Sequence, residues 1–306
     1  MKKSILFFLI LFYLQNLVYS ENKGYSITWG GHSTVLININ GKKILTDPLL
    51  TNTVAGITKR VTGCKLNLDS IGKPDIILLS HSHFDHLCMN SLKILEEKFP
   101  GTNIVFPEGV EDYLPEMNFE MYRLKTSDNF KKTLIGGTIT IEGIKITSVY
   151  AKHSGGRFGI DSYFWKDKSH TAFIIEYNGN TIFFSGDTGY DSTAYKKLGM
   201  LYDIDLGLIQ TGPCIDCEGK GTEEHASSSE ALNIFIDLKA SYMIPVHYGS
   251  IAYKNDAFYP VKILREIMNQ KYKQLTAAGN NYKNESLLFQ DRIIILEAGE
   301  KVYLTK

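Results

Sequence analysis

Four side chains that can bind metals stand within six consecutive positions: His81, His83, Asp85 and His86. They follow an apolar run, residues 75–79, which is typical of a buried strand. Buried imidazole and carboxylate groups need polar partners, and a loop at a strand end rarely supplies four of them. Divalent ions such as zinc, manganese or iron would satisfy all four groups. We therefore predict a metal site here, and the alternative is a solvated polar loop.

The pattern His-x-His-x-Asp-His after an apolar strand resembles the signature of the metallo-β-lactamase superfamily. His153, Asp187 and His247 follow in the order that this family requires, each at the end of a β-like run. The resemblance extends from about residue 29 to about residue 249 and implies two divalent metal ions, zinc first, with manganese or iron as alternatives. It assigns His81, His83 and His153 to one ion, Asp85, His86 and His247 to the other, and Asp187 to both.

Two further segments are similar to one branch of that superfamily. Residues 29–34 read Trp-Gly-Gly-His-Ser-Thr, and residues 45–48 read Leu-Thr-Asp-Pro. This branch contains the phospholipase D that acts on N-acyl phosphatidylethanolamine and the bacterial L-ascorbate 6-phosphate lactonase. The resemblance implies that Asp47 lies beneath the metals as a partner of a ligand imidazole, unless it only caps the turn before Pro48. For His32, a structural role and a role in the site both remain open.

His225, in the sequence Glu-Glu-His before a serine-rich helix start, resembles a substrate-side histidine of the same branch. It could bind a phosphate group or protonate a leaving group, and the alternative is a solvated histidine at a helix entry. His225 and the metal ligand Asp85 are the predicted catalytic residues.

The predicted reaction is hydrolysis by a water that two metal ions activate. The β-lactamases of the superfamily often place a cysteine where this chain has Asp187, whereas an aspartate is typical of its phosphodiesterases and lactonases. Phosphodiester hydrolysis is therefore the first choice, and lactone or other ester hydrolysis is the alternative. A protein of another class, which binds metal without catalysis, is disfavoured because the ligand set is intact.

The expected substrate is a small-molecule or lipid phosphodiester or ester, with which peripheral membrane contact would be compatible. Lys and Arg total 33 and balance 33 Asp and Glu, so no nucleic-acid surface is indicated. The hydrophobic fraction of 43% and the charged fraction of 22% are typical of a globular protein rather than a disordered one.

The amino terminus has the three parts of a secretory signal peptide. A positive start at residues 1–3 precedes an apolar run at residues 5–14, and small Ser20 ends the segment. We expect cleavage near Glu21 and export to the periplasm or the medium, with an uncleaved membrane anchor as the alternative. Residues 1–20 are thus the predicted signal peptide, and residues 21–306 the hydrolase domain.

The remaining chain alternates strand pairs with helices, and the resemblance implies an α/β fold, the αββα sandwich. Helices are predicted at residues 90–99, with Asn90 or Ser91 as N-cap, at 227–238 and at 260–270. Residues 292–297 and 301–305 are predicted to form a closing strand pair, and residues 109–132 carry no assignment. Of the four cysteines, Cys214 and Cys217 suggest a local disulfide, although inert thiols remain an alternative.

Overall fold

The structure is a computed structural model that describes residues 24–127, 133–158, 160–165, 168–214, 216–251, 256–277 and 291–305. The predicted signal peptide lies outside the described residues. Within these ranges, no helix is long and apolar enough to cross a membrane.

The strands form two large sheets and one short hairpin. The first sheet contains β1 (Tyr25–Gly31), β2 (Thr34–Ile39), β3 (Lys42–Thr46), β6 (Ile76–Leu78), β7 (Thr102–Pro107), β8 (Phe119–Leu124) and β15 (Lys301–Leu304). The hairpin joins β4 (Thr53–Val54) to β5 (Thr58–Lys59). The second sheet contains β9 (Ile135–Ile141), β10 (Ile144–Val149), β11 (Ala172–Tyr177), β12 (Asn180–Phe184), β13 (Leu206–Gln210) and β14 (Tyr242–Val246).

Both sheets mix antiparallel hairpins with a parallel part. The spatial order is β15-β1-β2-β3-β6-β7-β8 in the first sheet and β14-β13-β12-β11-β10-β9 in the second. Strands β3, β6, β7 and β8 run parallel, as do β12, β13 and β14. Parallel neighbours end at the same edge of a sheet, which gathers the residues that follow them.

The longer helices pack on the outer faces of the two sheets, and short helical segments lie in the connecting loops. They are α1 (Leu68–Ile71), α2 (Met89–Lys98), a 3₁₀ turn (Glu111–Tyr113), α3 (Ser162–Trp165), α4 (Ser192–Leu201), α5 (Ser228–Asp237) and α6 (Tyr259–Ala277). Leu92 and Leu95 of α2 pack on the first sheet. Leu198 of α4, Phe235 of α5 and Leu264 of α6 pack on the second. The layers are therefore helix, sheet, sheet, helix, which confirms the predicted αββα sandwich.

Successive side chains of a strand point to opposite faces, and the central strands of both sheets are buried on both faces. In β6, Ile76 and Leu78 belong to the core between the sheets, whereas Ile77 faces the helices. In β11, Phe173 faces the core between the sheets and Ile174 the outer helices. This burial on both faces explains why the central strands appear in the sequence as continuous apolar runs.

Two predictions about elements were wrong. Residues 292–297 are not a strand in the structure, and β15 pairs with β1 instead; only Ile293 forms an isolated bridge, with Met243. The N-cap of α2 is Cys88 rather than Asn90 or Ser91, and the Cys88 side chain makes no capping hydrogen bond. By contrast, Ser227 caps α5 in a capping box with Glu230, as the serine-rich sequence before it indicates.

Candidate metal centre

Every predicted ligand follows the end of a strand at one edge of the sandwich. The metal loop, residues 80–87, comes after β6 and supplies His81, His83, Asp85 and His86. From the second sheet, His153 follows β10, Asp187 follows β12, and His247 follows β14 directly. Residues that are up to 166 positions apart therefore meet because their strands end together.

The first candidate cluster consists of His81, His83, His153 and Asp187, each offering one ligand atom within 4.8 Å of the others. Nδ1 of His83 lies 3.1 Å from Nε2 of His153. The rings of His81 and His83 meet edge to face, with centroids 4.6 Å apart. The structure thus brings together the three histidines that the sequence assigns to one ion.

The second candidate cluster contains Asp85, His86 and His247, and His32 joins it within the same 4.8 Å. Oδ2 of Asp85 lies 3.5 Å from Nε2 of His247 and 3.7 Å from Nε2 of His86. The same oxygen lies 2.9 Å from Nε2 of His32, which is 1% exposed. His32 is therefore part of the site and not a remote structural histidine.

Asp187 lies between the two clusters. Its Oδ1 is 3.1 Å from Nε2 of His247 and 3.3 Å from Nε2 of His86. Its Oδ2 is 3.8 Å from Nε2 of His81 and 3.2 Å from Nε2 of His225. Each carboxylate oxygen thus faces a different cluster.

Four imidazoles of the clusters have a protein partner for the nitrogen that points away from the centre. His81 Nδ1 lies within hydrogen-bond distance of Ser80 Oγ, at 2.9 Å, and His153 Nδ1 lies within hydrogen-bond distance of the Glu224 carbonyl oxygen, at 3.2 Å. His247 Nδ1 donates to the Gly212 carbonyl at 2.7 Å. His86 Nδ1 lies 2.6 Å from Oδ2 of Asp47, a fully buried carboxylate that also accepts hydrogen bonds from Ser80. Such partners fix the tautomer and leave Nε2 available to a metal.

The atoms that point into the centre fit divalent ions. The buried Nε2 atoms of His81, His86 and His247 and Oδ1 of Asp187 have no hydrogen-bond partner among the described residues. Buried polar atoms without partners are costly, and imidazole and carboxylate donors suit zinc, manganese and iron. The donor set therefore matches the ions that the sequence resemblance implies.

Burial and neighbouring charges act differently on the two clusters. Burial holds the pKa of His81 and of His153 well below the usual value, so these imidazoles are neutral. Burial also acts to lower the pKa of His247, but the carboxylates of Asp187 and Asp85 outweigh it and raise that pKa to about 9. Burial opposes ionisation of Asp187, yet His247 and His86 hold its pKa well below the usual range. The centre therefore favours an ionised Asp187 carboxylate.

Three residues of the site have backbone angles in the left-handed region: His32 (φ 57°), Asp47 (φ 32°) and His247 (φ 72°). Residues other than glycine rarely adopt this conformation, and it costs roughly 1–3 kcal/mol where it occurs. The surrounding contacts hold it here, since the His247 N–H donates to the His32 carbonyl at 3.0 Å. Strain of this kind is concentrated at functional sites.

His225 stands at the open side of the centre. Its Nε2 is 3.2 Å from Oδ2 of Asp187, and its side chain is 26% exposed. His225 lies two residues before the N-cap Ser227, and its backbone N–H donates to Thr222 Oγ1 at 2.9 Å. The structure thus places this predicted catalytic residue beside the Asp187 carboxylate and partly open to solvent.

Arg157 was not assigned a role from the sequence, although it lies in the Ser-Gly-Gly-Arg segment after His153. Its Nη1 donates to the carbonyls of Ser82 and Leu87 at 2.7 and 2.9 Å, so it connects two points of the metal loop. Its guanidinium also lies 4.2 Å from the centroid of the Phe84 ring. Near the same edge, Cys214 and Cys217 form the expected local disulfide, while Cys64 and Cys88 are free.

Comparison with known proteins identifies the family. The β-lactamase superfamily domain matches residues 42–248. A UPF0173 metal-dependent hydrolase of Lawsonia intracellularis is 30% identical over 226 residues, which are 74% of this chain and 84% of that protein. The mitochondrial N-acyl-phosphatidylethanolamine-hydrolyzing phospholipase D of Saccharomyces cerevisiae is 30% identical over 253 residues, 79% of this chain. The chain spans only 51% of that yeast protein.

A solved structure shows the same fold. A metallo hydrolase of the archaeon Ignicoccus hospitalis superimposes with a TM-score of 0.60 and 21% identity, covering 92% of this chain and 99% of its own. The match to the family domain extends over more than half of the chain and includes every predicted metal ligand. The chain therefore belongs to the β-lactamase superfamily and is a metal-dependent hydrolase with the metallo-β-lactamase fold.

Proposed function

We propose that this hydrolase cleaves phosphodiesters with two divalent metal ions, zinc in the first instance. The position of Asp187 carries the proposal, because its two oxygens face two separate groups of imidazoles. In the proposed assignment, His81, His83 and His153 hold one ion, Asp85, His86 and His247 hold the other, and Asp187 holds both. When bound, two such ions supply an activated water and Lewis-acid stabilisation of the charge that develops on the substrate.

We assign to His225 a role in contacting the substrate rather than in binding metal. It is not needed to complete the ligand set, and its imidazole is partly open to solvent beside Asp187. It lies close to the amino end of α5, where backbone N–H groups favour negative charge. In this position it can bind a phosphate oxygen or hold the proton that the leaving oxygen takes. The side chain of Asp85 is 19% exposed, so it lies on the side of the second cluster that faces solvent.

The surface beside the metal loop supports a lipid-like substrate and peripheral contact with a membrane. Phe84 of the loop packs against Phe158, with ring centroids 5.6 Å apart. Phe158, Ile160, Tyr163 and Phe164, the apolar rim, are 62%, 88%, 85% and 77% exposed. So many large apolar side chains in seven positions are unusual on a soluble surface and mark an interaction site. The yeast relative named above is a phospholipase, which agrees with this assignment.

The experiment combines metal analysis with a substrate panel. Purified wild-type protein should contain two metal equivalents after reconstitution and should hydrolyse a phosphodiester in preference to lactones and lactams. His225→Ala should keep both equivalents and lower phosphodiester turnover by roughly 10²-fold, the scale of lost acid–base help. His247→Ala should lose metal as well as activity. His170→Ala, which removes a histidine outside every candidate metal group, is the matched control and should retain turnover.

Several results would change the assignment. At most one equivalent in reconstituted wild type would refute the two-ion centre. Preferential hydrolysis of lactones would replace the phosphodiesterase by a lactonase, and two tightly bound ions without turnover of any substrate would indicate a non-catalytic metal-binding protein. Full turnover in His225→Ala would remove the substrate-side role, and loss of metal from that variant would require a new ligand assignment.

A further inference from the structure

His32 is the one member of the second cluster that the ligand assignment does not use. Its Nε2 lies 2.9 Å from Oδ2 of Asp85, and the residue is 1% exposed. Two roles are compatible with that distance. His32 could coordinate the second ion directly, or its Nε2–H could donate a hydrogen bond to the carboxylate that does.

The surroundings of the other ring nitrogen, Nδ1, distinguish between these two roles. His81, His86, His153 and His247 each have a protein partner at Nδ1. Nδ1 of His32 is buried and has no partner among the described residues. If Nε2 coordinated a metal, the proton of the neutral ring would lie on Nδ1, and a buried N–H without an acceptor is rare and costly. With the proton on Nε2, the ring donates to Asp85 and only an acceptor lacks a partner.

The backbone of His32 is fixed independently of its ring. Its carbonyl accepts a hydrogen bond from Nε1 of Trp29 at 2.8 Å and another from the backbone N–H of His247 at 3.0 Å. These contacts hold the residue under the second cluster whatever its side chain does. The ring in turn packs on His247, with centroids 4.1 Å apart. The same residue thus contacts two predicted ligands of the second ion.

We propose that His32 is a positioning residue that sets the affinity for the second ion by holding Asp85. Its Nε2–H donates to Oδ2 of Asp85, a carboxylate whose side chain is 19% exposed, and so holds that oxygen toward the cluster. The carboxylate then stays within 3.5 Å of His247 Nε2 and 3.7 Å of His86 Nε2. Partners of this kind typically contribute 10- to 100-fold to metal affinity. The inference rests on the proposed two-ion centre, but not on the identity of the substrate.

The test titrates the metal-free protein with Zn²⁺ against a chromophoric chelator and needs no substrate. His32→Phe keeps the ring packing and removes the donor, so it should weaken the second equivalent roughly 10- to 100-fold and leave the first unchanged. His32→Gln places an amide N–H at a similar reach and should recover most of the affinity. Circular dichroism of each metal-free variant checks folding, and if His32→Phe does not fold, His32→Gln decides alone.

A double-mutant cycle with Asp85→Ala gives the decisive comparison. If His32 acts through Asp85, His32→Phe should cause no further loss of affinity once Asp85 is absent. Fully additive losses would overturn the inference and make His32 a ligand. The same conclusion would follow if His32→Gln folded like wild type but lost the second ion entirely. Unchanged second-ion affinity in His32→Phe would overturn it as well. A single equivalent in wild type would instead refute the two-ion proposal and, with it, this inference.

Discussion

Replacing Asp47 by asparagine removes a charge from a carboxylate that is fully buried beneath the metal-facing side chains. Oδ1 of Asp47 accepts from the Ser80 backbone N–H at 2.7 Å. Oδ2 accepts from Ser80 Oγ and from His86 Nδ1, both at 2.6 Å. Whichever way the new amide turns, its NH₂ group faces an N–H donor. The substitution therefore removes at least one hydrogen bond to a charged acceptor without changing the side-chain size.

The size of the effect follows from these contacts. A hydrogen bond to a charged group contributes about 1.5–3 kcal/mol. If the lost hydrogen bond is the one from His86 Nδ1, the affinity for the ion that His86 binds should decrease by about 10- to 100-fold. This is the range found for partners of metal-binding histidines. We expect the metal-free protein to lose stability of the same order, about 1.5–3 kcal/mol, because the unpaired donor remains buried.

Asp205 offers a matched control. It is also buried, its Oδ2 accepts a hydrogen bond from the Thr181 N–H at 2.8 Å, and it precedes β13, at the end of the sheet opposite the metal centre. Asp205→Asn should therefore lower the urea midpoint of the metal-free protein without changing its affinity for Zn²⁺. Both variants are measured by urea unfolding and by titration against a chelator.

The reasoning fails if Asp47→Asn loses stability but binds both Zn²⁺ ions as tightly as Asp205→Asn does. Asp47 would then be a structural turn residue before Pro48, the alternative that the sequence leaves open. Equal losses of metal affinity in both variants would show that general loosening of the fold, and not the bond to His86, controls binding.

Three further predictions concern protons, lipids and export. The pKa of His247 is raised to about 9, so at pH 7.5 the metal-free imidazole is protonated and Zn²⁺ binding must release that proton. The calorimetric enthalpy of Zn²⁺ binding should therefore depend on the ionisation enthalpy of the buffer, and an enthalpy that does not would contradict this prediction. Phe164→Ser should lower turnover of long-chain phosphodiesters in vesicles several-fold and spare a short soluble diester, and equal effects on both would exclude a lipid role for the apolar rim. Mass spectrometry of protein from the native host should find a start near Glu21, and an intact Met1 would refute cleavage.

The residues of the candidate metal clusters could be predicted from the sequence because their signal is local. His81, His83, Asp85 and His86 form one short motif, and the later ligands follow apolar runs that are recognisable as strands. The order of these runs, together with the resemblance, was sufficient to indicate the αββα layers. Helix α5 could be placed because Ala231, Leu232 and Phe235 form an apolar face at helical spacing, and all three are buried.

The contacts that support the ligands could not be predicted in this way. His32 and Asp85 are 53 positions apart, and Arg157 reaches the Ser82 carbonyl across 75 positions. No local pattern specifies such pairs, because the packing of the two sheets determines them. The strand predicted at residues 292–297 failed for a related reason, since the apolar run at residues 293–296 indicates that the segment is buried but not that it pairs with a neighbour.

The centre connects the two sheets as well as providing chemistry. The metal loop belongs to the first sheet, whereas His153, Asp187 and His247 follow strands of the second. Several buried nitrogens and a carboxylate oxygen of this interface have no hydrogen-bond partner among the described residues, and leaving such atoms without a ligand is costly. An ion that binds only the folded chain adds about 2.7 kcal/mol at a concentration one hundred times its Kd. Metal loading should therefore stabilise the contact between the sheets and orient the catalytic side chains through the same set of bonds.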